Sequence, residues 1–313
     1  MLPALSLSFG GVDAHLVSVN KYRALTLLPD VPVDGPVQVT LDPFQGQRSS
    51  DTESRFTIGK LLARNLHPVT NPTFHPADGS LFVTRSGTRG EHVPTSIFRI
   101  DALNDLEEFS GDIVNPTAIA FDRTGRMFVT SRFDGTVYRI TPDRQVVAFA
   151  SDLGIATGMA FNREGEMFVG DRTGTIHRIN EIGQSKPWAE HEPSVSAYHL
   201  AFGPEGDLFV TGPTVSSFES VTRFDADGNP TVFFRGLGRP QGLAFDRKGN
   251  LYVAAALRGR RGVVRISPDA KDAQLVVAGM NIVGIAFGPQ GQMVVATNEA
   301  VYSLPLGIEG QLV

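Results

Sequence analysis

One pattern recurs six times in this 313-residue chain and constrains its fold more than any other feature. Each copy holds a phenylalanine, a polar turn ending in glycine, and then an apolar triplet. The copies read Phe74-HPADG-SLFV, Phe121-DRTG-RMFV, Phe161-NREG-EMFV, Phe202-GPEG-DLFV, Phe245-DRKG-NLYV and Phe287-GPQG-QMVV. Their phenylalanines lie 47, 40, 41, 43 and 42 residues apart. A period near 40 built of strand-sized units predicts a β-propeller rather than a helical solenoid.

The second copy shows the strands of one repeat. Thr117 to Phe121 is a short apolar strand, and Asp122 to Gly125 is a hairpin turn with glycine where a left-handed residue is needed. Met127 to Ser131, Gly135 to Ile140 and Gln145 to Ala150 read as the next three strands. Four strands in each of six repeats predict an all-β, six-bladed propeller of four-stranded antiparallel blades. The last copy supplies only Gly284–Phe287, Met293–Thr297 and Val301–Leu304. Leu61 to Leu66 resembles the fourth strands elsewhere, such as Val146–Ala150 and Leu275–Ala278, and is expected to complete the last blade. Ring closure of this kind removes exposed sheet edges.

Residues 1–58 lack the repeat and are expected to form a small partial β-sandwich, with residues 59–313 forming the propeller. The head strands are read as Leu5–Phe9, Ala14–Ser18, Ala24–Leu28 and Val37–Leu41, with a polar linker around Arg48–Ser54. A head of this size is near the limit for a free-standing core.

Composition narrows the function. Lys plus Arg number 28 and Asp plus Glu 33, so the formal charge is −5. Without a Lys/Arg block, nucleic acid is not an expected partner. No apolar run reaches the ~20 residues of a membrane span, so no membrane role is expected. There is no cysteine, which excludes thiolate catalysis, disulfides and sulfur-ligated metal sites. Met1 to Phe9 has no basic n-region, and Ser6 and Ser8 interrupt its apolar stretch, so a cytoplasmic location is expected.

The stretch Pro116 to Ile140 and its five relatives, over roughly residues 60–307, resemble NHL-repeat and gluconolactonase-like six-bladed propellers. The head resembles the later strands of an IPT/TIG immunoglobulin-like domain. The first resemblance implies a ligand or catalytic site on the face where inner strands begin and second strands end. It implies that Asn71, Asn115, Tyr198, Arg239, Gln241 and Asn281, which open inner strands, surround the channel mouth with Arg85, Arg132 and Asn298, which follow second strands. Thr157, Thr211 and Ala255 hold similar positions. Three long loops, Arg85–Pro94, Gly212–Glu219 and Ala256–Arg261, are expected to project from the same face.

In the resembled lactonases a divalent cation is held by a Glu, an Asn and an Asp. The matching positions here are Thr70-Asn71-Pro72, His199 and Gln241, which leaves amides and an imidazole where a hard cation needs anionic oxygen. No cofactor is therefore expected, with Ca²⁺ as the alternative that the resemblance keeps open. Metal-free chemistry would need Asp171 and His199 to converge as base and proton shuttle, with Arg85 as an anion clamp. Virginiamycin-lyase-like propellers use a second channel histidine, and none is found here. The leading reading is a binding module for a small polar ligand or a protein partner. The alternative is a hydrolase or lyase at the same mouth. Arg99, Arg139, Arg178, Arg223 and Arg265 recur on third strands and are expected to tie neighbouring blades together. Trp188, on a fourth strand, is expected to pack.

Overall fold

Two devices make the polar turns, the first in repeats 2, 3 and 5 and the second in all six. An Asp or Asn side chain caps the turn from within: Asp122 Oδ1 accepts the Thr124 and Arg126 N–H groups, each at 2.9 Å, and Asp246 Oδ1 accepts those of Lys248 at 2.9 Å and Asn250 at 2.8 Å. Such a side chain mimics a backbone turn. The glycine that ends each turn, Gly79, Gly125, Gly165, Gly206, Gly249 or Gly291, has a positive φ between 69° and 94°, which side chains with a Cβ rarely adopt.

The structure is a computed structural model and describes residues 6–20, 23–26, 35–42, 54–214 and 219–311. No helix occurs among them. Contacts divide the chain into two compact units, Met1–Lys60 with Ser303–Pro305, and Leu61–Tyr302 with Leu306–Val313. The first holds one sheet in the order Val12–Asp13, Ser6–Phe9, Gly35–Asp42, Ser54–Ile58, and a separate pair, Leu16–Asn20 with Arg23–Thr26. The expected strands at Leu5–Phe9 and Ala24–Leu28 fall partly outside the described residues, as does the linker up to residue 53. A strand, Ser54–Ile58, begins at the last residue of that linker and pairs with Gly35–Asp42.

The second unit is a β-propeller of four-stranded antiparallel sheets. Repeat 1 comprises Thr73–Phe74, Leu81–Thr84, Ile97–Ile100 and Leu106–Ser110; repeat 2 comprises Pro116–Phe121, Met127–Ser131, Thr136–Ile140 and Val146–Ala150. Repeats 3, 4, 5 and 6 begin with the inner strands Ala156–Phe161, His199–Phe202, Leu243–Phe245 and Ile282–Phe287. Repeat 6 has three strands of its own, and Lys60–Arg64 lies beside its third, Ala300–Leu304, as its fourth. Repeats 4 and 5 are additionally joined where Leu237 and Gly238 pair with Leu257 and Ala256.

Aromatic contacts explain why the motif carries two bulky positions. The phenylalanine of each copy packs on the second-strand aromatic of the copy before it: Phe82–Phe121, Phe128–Phe161, Phe168–Phe202, Phe209–Phe245 and Tyr252–Phe287, with centroids 4.9–5.5 Å apart. Each such pair contributes ~0.5–1.5 kcal/mol beyond its buried area. Trp188 packs against Phe168 at 4.9 Å, as its strand position suggests. The joint from repeat 6 back to repeat 1 has Val294 in the aromatic's place, in one core cluster with Phe74.

Asn71 compensates at that joint. Its Nδ2 donates to the Leu243 carbonyl and its Oδ1 accepts the Ile285 N–H, both at 2.9 Å, so one side chain ties repeat 1 to repeats 5 and 6. The neighbouring Thr70 hydroxyl donates to the Thr117 carbonyl of repeat 2 at 2.6 Å. This crossing needs bare backbone at Gly284, where a Cβ would sit 2.2 Å from the Thr70 carbonyl oxygen.

Four of the five third-strand arginines pair within their own repeats rather than with a neighbour. Arg99 pairs with Asp78 and Glu107, Arg178 with Glu166, Arg223 with Asp207 and Arg265 with Asp272, all within their own repeats. The acidic partners sit on the adjacent strand or hairpin, which a third-strand guanidinium reaches more easily than the next sheet. Arg144, on a turn, makes the crossing from repeat 2 to Glu107. Gly284→Ala is expected to destabilise the fold by about 2–3 kcal/mol through overpacking. Gly165→Ala, where a Cβ meets nothing within 4 Å, should cost only about 1 kcal/mol. Urea unfolding of the two variants checks this difference.

Candidate functional site

The propeller has two ends: a leading end, where the inner strands begin, and a hairpin end, where they turn back into the second strands. The residues expected to form a polar mouth belong to the leading end, and most are bound to the scaffold. Asn115 is fully buried; its Oδ1 accepts the Gly90 N–H at 2.7 Å and its Nδ2 donates to the carbonyls of Gly87 at 3.0 Å and Thr88 at 2.9 Å. It therefore staples the Arg85–Pro94 loop. Tyr198 is buried, its hydroxyl donates to the Glu192 carbonyl, and burial followed by the charge of Asp171 pushes its pKa up. Gln241 is buried, and its backbone N–H donates to the Ala254 carbonyl at 2.8 Å. Arg239 and Asn281 are exposed and left-handed, while Arg85 and Asn298 are half-buried.

Asp171 and His199 do not form a dyad. Asp171 caps its own turn, accepting the Ile155 N–H at 2.9 Å, the Thr173 N–H at 3.0 Å and the Thr173 hydroxyl. Its charge acts on His177 and Tyr198. His199 is buried, and burial alone pulls its pKa down to about 3, so its imidazole is neutral at physiological pH. Among the described residues its Nε2 has no hydrogen-bond partner.

The lactonase-type cation positions do not fit a metal either. The Asn71 amide is spent on Leu243 and Ile285, and among the described residues no three His, Asp or Glu side chains gather as a ligand set.

The expected Ala256–Arg261 loop is instead a tight hairpin. Leu257 pairs with Arg260 and Ala256 with Arg261, and the turn residues Arg258 and Gly259 have φ of 50° and 77°. Two successive left-handed residues suit the twist of a two-residue hairpin. In the Gly212–Glu219 loop, residues 215–218 lie outside the described ones.

The large cavity is the channel itself, about 770 Å³, running from Thr70, Asn71 and His199 near the leading end to the turns of the hairpin end. Its wall is a collar of one repeat position, the residue before the motif phenylalanine: Ala120, Ala160, Ala201, Ala244 and Ala286, with Thr73 in repeat 1. Ile119, Met159, Leu200, Leu243 and Ile285 also line it. The rim carries His75, Asp78, Arg123 and Arg247, with residues Glu309–Gln311 laid along it. Gln311 N–H donates to Phe245 O at 2.9 Å, and Arg247 pairs with Glu309 at 2.6 Å. Of the residues expected to bind ligand only Asn71 lines this cavity, together with His199, expected as a proton shuttle. The Ala-Phe dipeptide, repeated in five copies, was the sequence signal for its wall.

No protein-family profile and no curated protein sequence matches the chain. Solved structures share its fold. A gluconolactonase from Xanthomonas campestris superposes with TM-score 0.61 at 15% identity, over 78% of this chain and 88% of that one. Virginiamycin B lyase from Staphylococcus aureus gives 0.56 at 14% identity, over 80% and 88%. An auxiliary nutrient binding protein from Bacteroides thetaiotaomicron gives 0.60 at 12% identity, over 96% and 90%.

Burial of neutral histidines makes stability depend on pH. His199, with a pKa of about 3, and His191, lowered by burial to about 4, both bind a proton more readily in the unfolded chain, near pH 6.5. Stability should therefore fall as pH drops below about 6.5, with a slope approaching ~1.4 kcal/mol per pH unit for each histidine. His199→Gln is expected to flatten that slope by about one proton's worth, as read from urea unfolding between pH 7.5 and 4.5.

Proposed function

We propose that this protein is a binding propeller whose channel holds a mainly apolar small molecule, entering from the hairpin end. The cavity carries this reading: about 770 Å³, within the range of small-molecule sites, with apolar side chains along its wall and polar groups toward its two ends. The neutral imidazole of His199 at its deep end would supply the orienting hydrogen bond. A buried polar atom without a partner is costly, and a ligand hydroxyl or carbonyl would relieve that cost. Asn71, Asn115 and Tyr198 of the leading end supply no such unpartnered group, because their side chains already bond the scaffold.

Hydrolases and lyases share the fold, so catalysis is the alternative the test must separate. The collar alanines give the means, since replacing them narrows the channel without removing a polar group. Nile red, a neutral apolar dye, is expected to bind the wild type saturably with blue-shifted emission. Ala201→Phe together with Ala244→Phe should weaken it by at least about tenfold through steric filling, while Arg258→Ala should leave it unchanged. Saturable dye binding that survives the filled channel would overturn the reading. Lactone hydrolysis abolished by His199→Gln in a folded protein would replace it with the enzymatic one.

A further inference from the structure

The leading end holds a charge arrangement that ligand binding in the channel does not use. Arg132 and Arg172 occupy the same position in repeats 2 and 3, each directly after its second strand. Their backbone N–H groups donate to equivalent carbonyls, Asn115 O and Ile155 O, both at 3.2 Å. Arg89 is brought to the same place from repeat 1. The residues on either side of it, Thr88 and Gly90, are both hydrogen-bonded to Asn115, and a Cβ on Gly90 would lie 3.1 Å from the Phe133 ring.

Arg89 and Arg132 are thus brought to one loop, and Arg172 lies near enough for its charge to act on Arg132. Among the described residues none of the three makes an ion pair, whereas the third-strand arginines Arg99, Arg178, Arg223 and Arg265 all do. Arg132 spends one donor on Gly87 O at 3.2 Å, and its Nε is buried with no partner. Burial, then the charges of Arg172 and Arg89, pull the Arg132 pKa down, with no carboxylate opposing them. The one carboxylate of the Arg85–Pro94 loop, Glu91, accepts from the Thr88 N–H at 2.8 Å and the Thr88 hydroxyl at 2.6 Å, and its neighbouring charge is Arg85. A half-buried cation held among like charges is costly unless an anion joins it.

We propose that Arg89, Arg132 and Arg172 form an anion site that takes a phosphate group. Planar guanidinium forks match phosphate oxygens two at a time, and a doubly charged tetrahedral anion can be shared by three of them. The repeated position of Arg132 and Arg172 fixes two forks on the rigid scaffold, and the stapled loop presents the third.

The full-length protein is titrated with inorganic phosphate and with phenyl phosphate at about 0.15 M ionic strength, read by ³¹P NMR and by thermal unfolding. Saturable binding and a rise in Tm are expected. Arg172→Gln should weaken binding at least about tenfold, and without phosphate its Tm should equal or exceed that of the wild type, because a like-charge contact is removed. Arg132→Gln should weaken binding similarly, and Arg258→Gln, outside the cluster, should not. Tighter binding of the ester assigns the site to an organic phosphate, and equal affinity assigns it to the free anion. Absence of saturation by either probe would overturn the proposal, as would equal losses in Arg172→Gln and Arg258→Gln.

Discussion

The joint between the last repeat and the first is where this ring must be held. Five of its joints are aromatic pairs, in which a motif phenylalanine seats against the ring of the preceding repeat. At the sixth, Val294 offers a smaller side chain, and the Asn71 amide adds two hydrogen bonds, one to repeat 5 and one to repeat 6. Buried backbone groups that lose such a partner cost about 1–3 kcal/mol each. Asn71 thus does at the closure what an aromatic ring does elsewhere.

That closure shapes the site. To reach Leu243 and Ile285, the Thr70-Asn71 segment must cross the leading end of the channel, close against Gly242 and Gly284. What stays open is the remainder of the channel, with the alanine collar as its wall and His199 near its deep end. The same crossing consumes the amide that a cation site of the lactonase kind would need. Scaffold and function therefore compete for one residue, and here the scaffold has it.

The repeat was legible because its physical demands are local and periodic. A left-handed glycine recurs in every copy, an Asx-type cap in three and a second aromatic position in five, and together with the apolar alternation they give the strands, the turns and the strand borrowed from residues 60–64 to finish the last sheet. The site was less legible. Asn115, Tyr198 and Asn71 have the chemistry of ligand-binding groups, but a single sequence does not reveal which carbonyls and N–H groups lie within their reach. Asp171 reads as a base and serves as a turn cap. Arg258 to Arg261 read as a projecting loop, because a hairpin whose strands simply continue carries no composition signal beyond one glycine. Conversely, the alanines before the motif phenylalanines were in plain view, and their lack of functional groups hid the role that smallness gives them. The arginines on third strands misled in a different way: recurrence suggested contact between sheets, whereas the nearest carboxylates lie within each repeat.

The proposed binding role depends on what occupies the channel. Crystals of the full chain soaked in iodobenzene, an apolar probe whose iodine can be located by anomalous scattering, address this directly. The expected result is a well-occupied iodine peak among Ala120, Ala201, Ala244 and Ala286, above His199. An empty channel, or iodine only among the polar residues of the leading end, would contradict it.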